Sequence, residues 1–227
     1  MCTEAFHERR HSQRPYVMMS TAMTLDGKIG TESGDSRISS PADLKQLHEL
    51  RSHVDAVMIG SGTLLSDNPL LTVRRVKGRN PIRIIVDSTA KTPSNSKVLT
   101  AQGTTIIAVS NKAPKRRVKK LQMAGAKIVH CGTNHVNLKA LMSRLLRMGI
   151  RTVLLEGGGG LNWHMLTNNL VDELRITIAP LLIGGEGAKT LVEGTGVEKM
   201  SQAIKLTLKS TTRIENELVL SYKVNGL

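Results

Sequence analysis

The sequence predicts an α/β fold with a mainly parallel central sheet, antiparallel strands on its C-terminal side and flanking helices. Three observations predict it. Short apolar runs bounded by turn residues alternate with segments of helical spacing through the first two thirds of the chain. The last third carries strand-like runs with no helix between them. No internal repeat, low-complexity linker or composition break divides the 227 residues, so residues 15–227 are expected to form a single domain behind a polar, disordered arm of residues 1–14.

The first strand is expected over Pro15 to Met23, ending in the turn Leu25-Asp26-Gly27-Lys28. The segment SSPADLKQLHELRSH then carries a Ser at the cap, Pro at the first helical position and Leu44, Leu47 and Leu50 at helical spacing, which predicts the first helix. Strands follow at DAVMIG, PIRIIVD and TTIIAVS. Helical patterns at Pro114 to Met123 and Leu138 to Met148 flank the strand AKIVH, and the strand RTVLLEGG comes next. ELRITIAPLLI, AIKLTLKSTTRI and ELVLSYKV are read as the C-terminal strands, the last two joined at Glu215-Asn216 as a hairpin.

Composition narrows the function. Apolar residues make up 40% of the chain but aromatic ones only 2%, so the core must be built from aliphatic residues and Met. Lys plus Arg exceed Asp plus Glu by 32 to 18, a net +14, which draws phosphate-bearing partners. Single-strand nucleic-acid binders interleave basic residues with stacking aromatics. With one Trp, two Tyr and one Phe, small phosphorylated ligands fit better and nucleic acid is not expected. Cys2 and Cys131 suggest neither a disulfide framework nor a metal site. No signal peptide or membrane span is apparent, so a cytoplasmic protein is expected.

Two segments offer chemistry. At Glu156 to Gly160 a strand runs into four glycines and then the helical pattern LNWHMLTNN, an arrangement that lets backbone N–H groups approach a phosphate at a helix N-terminus. A plain glycine turn is the blander reading. Glu156 would sit at a strand's carboxyl end, where open α/β sheets bind ligands. The second segment, Gly60 to Arg74, follows a strand directly, with Thr63, Asp67 and Arg74 offering a hydroxyl, a carboxylate and a cation; it reads equally as a Rossmann fingerprint that lacks its third glycine or as an ordinary polar loop.

Four further patterns are set aside. His7-Glu8-Arg9-Arg10-His11 matches HExxH but lies in the arm without a third ligand. The string Gly184 to Thr190 misses a Walker loop because Ala188 stands where Gly is required. The basic run around Val118 and Leu121 reads as a solvated helix face. His48 and His53, five apart, do not form a metal pair, and no metal is expected.

Taken together, STAMTLDGKIGTESGDSRISSP, IGSGTLLSDNPLLTVR, IRIIVDST and LLEGGGGL closely resemble the pyrimidine reductase family of riboflavin biosynthesis, in the family's order. The resemblance implies a dihydrofolate-reductase-like fold, NADPH as cofactor, a phosphorylated ribosylaminopyrimidine as substrate and a homodimer. Lacking the deaminase signatures HxE and PCxxC, the chain resembles the stand-alone archaeal or fungal type. Thr63 and Asp67 would contact the nicotinamide-ribose side, and Ser88 with Gly157, Gly158, Gly159 and Gly160 the ribose and pyrophosphate. Arg51, the Leu71 backbone and Arg74 would bind substrate, with Ser36 a weaker candidate. Lys28 and Glu156 would face the reacting sugar and pyrimidine and handle protons. Asp26 is read instead as a turn residue. Arg37, Lys91, Lys112 and Arg116 stay unranked for the 2′-phosphate. A folate-type reductase on the same fold is the alternative enzyme, and a basic nucleic-acid-binding protein the alternative of another class.

Overall fold

A computed structural model describes residues 13–226. Cys2, the HExxH string and most of the expected arm lie outside the described residues. The arm's last residue is not loose, however: Arg14 donates to both carboxylate oxygens of Asp172 at 2.7 and 3.0 Å, so attachment to the domain begins one residue before the boundary expected from polarity.

A nine-stranded sheet has the order β10-β11-β8-β1-β7-β3-β4-β5-β6. Its strands are β1 (Tyr16–Thr24), β3 (Ala56–Gly60), β4 (Ile82–Val86), β5 (Thr105–Val109), β6 (Lys127–His130), β7 (Thr152–Leu155), β8 (Glu173–Ala179), β10 (Leu206–Ile214) and β11 (Glu217–Val224). Every pairing from β8 across to β6 is parallel, and β11 runs antiparallel to β8 and β10. The helices are α1 (Pro41–His53), α2 (Ser61–Asp67), α3 (Lys97–Thr100), α4 (Lys115–Met123), α5 (Leu138–Arg147) and α6 (Gly159–Thr167).

Successive side chains of a strand point to opposite faces, and the sheet divides accordingly. Val17, Met19, Ala56, Met58, Ile84, Ile106 and Ala108 pack with Leu141, Leu145, Met165 and Leu166 of α5 and α6. Val57, Ile59, Ile85, Ile107 and Val109 meet Leu64 of α2, Val98 of α3 and Val118 and Leu121 of α4 on the other face. There too α1 covers Met18 and Leu154 through Leu50. Each such Val, Leu, Ile or Met side chain contributes about 1.5–3 kcal/mol by leaving water.

Three features escape sequence reading. The stretch after β3 is not a loop throughout, because Ser61 to Asp67 form α2, stopped by Asn68 in the left-handed region (φ 40°). Lys28–Gly30 (β2) pairs with Lys189–Thr190 (β9) as a separate two-stranded sheet, so the near-Walker string ends in a strand, not a helix. And β10 alternates in sequence yet is exposed on both faces, apart from half-buried Ile214, because it lies at the sheet edge beyond β11.

Polar contacts anchor the start of α1. Ser40 caps it by accepting from Asp43 N–H, and its own N–H and Oγ donate to Glu217 of β11. Asp43 and Arg175 of β8, both buried, form an ion pair at 2.9 Å, with Thr177 and Gln46 accepting one further guanidinium hydrogen each. Removing one partner strands the other charge in the interior. Asp43→Ala is therefore expected to destabilise the fold by about 3 kcal/mol, read as a lower urea midpoint; an unchanged midpoint would show that α1 is held by its apolar face alone.

Candidate active site

The glycine turn joins three elements. Glu156 N–H donates to Met58 O and Gly60 N–H to Gly157 O, both at 2.9 Å, so the ends of β7 and β3 stay laced together past the last ladder residues. Gly157 sits at φ +86°, a conformation that favours glycine, and a Cβ there would meet the Asn162 amide at 3.1 Å. Gly158 N–H donates to Thr63 Oγ1 at 3.0 Å, binding α2 to the turn. Gly159 is overlaid by the segment after β9: a Cβ would stand 2.6 Å from Thr190 O and 2.7 Å from Glu193 Cγ. The same segment places Gly194 against the Trp163 indole so closely that any side chain would collide. Helix geometry leaves the N–H groups of Gly159, Gly160 and Leu161 without intrahelical acceptors.

This turn walls a cleft of about 620 Å³ at the carboxyl-terminal side of β1, β3, β4 and β7. Of the residues expected to act, Ser36, Arg51, Thr63, Asp67, Leu71, Glu156, Gly158, Gly159 and Gly160 line it. Ser36 Oγ donates to Asp67 Oδ2 at 3.0 Å, closing the loop after β2 onto α2. Leu71, at φ +52°, is buried with its backbone turned sharply.

Arg51 and Glu156 were expected on a phosphate and on the reacting groups, but they bind each other. Arg51 Nε and Nη2 donate to the two Glu156 oxygens at 2.7 and 2.6 Å, and Nη1 reaches Thr72 O at 3.2 Å. The forked edge suited to a phosphate is thus closed by a carboxylate. A carboxylate accepting on both oxygens is fitted to orient and accept rather than to donate a proton.

Four expected residues do not line the cleft. Lys28 directs Nζ toward Ala188 O at 3.5 Å, and Lys189 is the lysine that lines the cavity. Ser88 Oγ accepts from Val136 N–H at 3.0 Å, beyond the lining. Gly157, the first glycine of the turn, is not among the lining residues, and Arg74 is held in the 72–75 loop, donating from Nη1 to Thr72 Oγ1 at 2.8 Å. Asp26 accepts from Thr24 Oγ1 (2.5 Å) and Gly184 N–H (2.8 Å), which lowers its pKa and fixes its turn against the loop after β8. Thr21, His164 and Glu193 also line the cleft and were not singled out. His164 stands one helical turn after Gly160, a spacing that could have flagged it; Lys189 and Glu193 depend on the unread β2–β9 pairing.

The model of the RibD C-terminal domain matches residues 15–220. The chain belongs to this family. Among its relatives, the 2,5-diamino-6-ribosylamino-4(3H)-pyrimidinone 5′-phosphate reductase of Methanothermobacter thermautotrophicus is 48% identical over 94% of this chain and 100% of its own. RibD of Acinetobacter baumannii superposes with a TM-score of 0.82 at 26% identity, covering 94% of this chain; this chain spans 59% of that one. Dihydrofolate reductase of Enterococcus faecalis, at 16% identity and TM-score 0.51, shares the fold, which is therefore dihydrofolate-reductase-like.

Beside the cleft of this RibD-type domain stands His48 of α1. It is buried, and desolvation first, then the neighbouring Arg51 and Arg74, lower its pKa from 6.5 to about 4 despite Glu156. In the unfolded chain the ring takes up its proton near 6.5; in the folded chain it does so only near 4. Between those values the unfolded state alone binds the proton, so the stability that His48 contributes is intact above 6.5 and is lost as pH falls toward 4. His48→Asn, which cannot titrate, should lose less stability than the parent over this interval. Parallel urea melts at neutral and acidic pH would reveal this as a converging difference, whereas curves that keep a constant separation would contradict it.

Proposed function

We propose that the chain is an NADPH-dependent reductase of riboflavin biosynthesis that converts the ribosyl side chain of 2,5-diamino-6-ribosylamino-4(3H)-pyrimidinone 5′-phosphate into a ribityl chain. The observation that carries this reading is that one cleft is walled both by a glycine turn with free helix N–H groups and by the Arg51–Glu156 pair. Anionic and polar ends of two ligands can be met there.

The residues present fit the cofactor. The positions that Cβ atoms would take at Gly62 and Gly160 are open, and Thr21 Oγ1, buried without a partner, belongs to a residue of the cleft wall. Gly157 to Gly160 would hold the pyrophosphate, Thr63 and Asp67 the nicotinamide ribose, and Ser88, whose hydroxyl hydrogen is not used on Val136, a ribose further along. When bound, the reduced nicotinamide supplies hydride to C1′ of the ring-opened imine. Glu156, aligned by Arg51, accepts from the pyrimidine's N–H groups and fixes its plane; the Leu71 backbone would hold the sugar phosphate with Ser36 beside it, and Arg74, outside the lining here, would reach it from the adjoining loop on leaving Thr72 Oγ1. Lys28, next to Ile29 of the wall and with Nζ on Ala188 O, would face the sugar on turning from that carbonyl.

We also propose a cytoplasmic homodimer. The edge strand β10, exposed along its length with Leu206 and Leu208 in the open, supports the pairing. A sedimentation mass of one chain would remove this part.

Turnover is tested by incubating the chain with the pyrimidine phosphate and NADPH, following loss of reduced nicotinamide and weighing the product. A gain of two hydrogens confined to the sugar is expected. Glu156→Gln and Asp67→Ala should each lower kcat/KM by about 100-fold. No turnover by folded protein that still binds NADPH would discard the substrate assignment.

A further inference from the structure

Resting on that reading, we infer that His48 is a positioning residue for the substrate's phosphate: its neutral imidazole fixes the main chain that presents Arg74 and Arg75. His48 and Arg51 lie three residues apart on α1, on one face of the helix, and both are buried. They seize the same loop from its two kinds of backbone group. Arg51 Nη1 donates to Thr72 O at 3.2 Å, while His48 Nδ1 accepts from Arg74 N–H at 2.8 Å and, more weakly, from Arg75 N–H at 3.4 Å. Val73 N–H, between them, donates to Asn80 Oδ1 at 2.7 Å. Four consecutive residues are thus fastened by their main chain, which is more than an ordinary surface loop requires.

The chemistry of the ring fits the role. Two N–H donors converge on Nδ1, so that nitrogen carries a lone pair and the proton resides on Nε2. An imidazolium could not accept either bond. The charges packed around the ring are Arg51 from α1, Arg74 and Arg75 from the loop and Glu156 from the end of β7. The single carboxylate is already taken by Arg51, which leaves two guanidiniums uncompensated. Burial and the neighbouring cations also disfavour the charge on Arg74. A phosphate dianion is the ligand that would balance such a cluster. A histidine serving only the core would support stability but would have no link to the phosphate.

The test uses the full chain with His48→Leu, which removes the acceptor, and His48→Asn, whose Oδ1 stands where Nδ1 stood. With the pyrimidine phosphate, His48→Leu should raise KM by about 10- to 100-fold and leave kcat within about threefold, and His48→Asn should restore KM. With the dephosphorylated ribosylaminopyrimidine all three chains should share one KM. An equal rise in KM with and without the phosphate, or a loss confined to kcat, overturns the inference. If the parent chain does not turn over the pyrimidine, the substrate reading fails separately, and calorimetric titration of the same chains with inorganic phosphate decides the role of His48. Weaker binding by the Leu variant alone sustains it; equal binding overturns it. If His48→Leu does not fold, His48→Gln replaces it, since its amide extends past the Nδ1 position: Gln must raise KM and Asn must not.

Discussion

The ion pair between Arg51 and Glu156 ties together the parts from which the cleft is made. One partner comes from the last turn of α1, the other from the residue between β7 and the glycine turn, and the guanidinium's third nitrogen holds the loop that follows α2. Each partner is nearly buried, with side-chain exposures of 8% and 11%, so removing either would leave the other as an uncompensated buried charge. The pair therefore acts as a constraint: α1 cannot slide along the sheet, nor the 72–75 loop lift, without exposing a charge to apolar surroundings. Because the other end of α1 is pinned to β8 and β11 through Asp43, Arg175 and Glu217, the helix spans the sheet between two polar fastenings, with Leu44 and Leu47 facing the cavity in between.

This arrangement divides the labour in the site. The glycine side is built from backbone, where close approach matters and side chains would obstruct, as the near-collision of any Cβ at Gly159 shows. The α1 side is built from charged side chains held by one another. Thr63 joins the two regimes, since its hydroxyl accepts from the turn while its helix begins directly after β3. The cleft walls are therefore set chiefly by rigid framework: backbone on one side and mutually held charges on the other.

Much of the architecture was legible because period-two alternation and helix caps are local. Met18 and Met19, or Ile84 and Ile85, fall on opposite faces as strand geometry demands, and Ser40 and Pro41 start α1 where the cap signal placed it. The failures are of another kind. α2 lacks a side-chain cap and is only seven residues long, so its glycines read as loop. β2 and β9 recognise each other across some 160 residues through two or three positions, which no local pattern announces. Arg51 and Glu156 were found as chemical candidates, but sequence spacing could not show that they bind each other. His48 was weighed only as a metal ligand with His53; its partners, the amides of Arg74 and Arg75, carry no side-chain signature at all.

The scarcity of aromatic residues has one further use. The sole indole of the chain, Trp163, belongs to the helix that begins in the glycine turn, next to His164 of the cleft lining, and it rests on Gly194 of the segment that overlays Gly159. Its emission consequently comes from a single place, at the joint between the helix and its covering loop. A shift of that loop on occupancy of the glycine side would register as a change in intrinsic fluorescence without any label, and no second tryptophan would blur the signal.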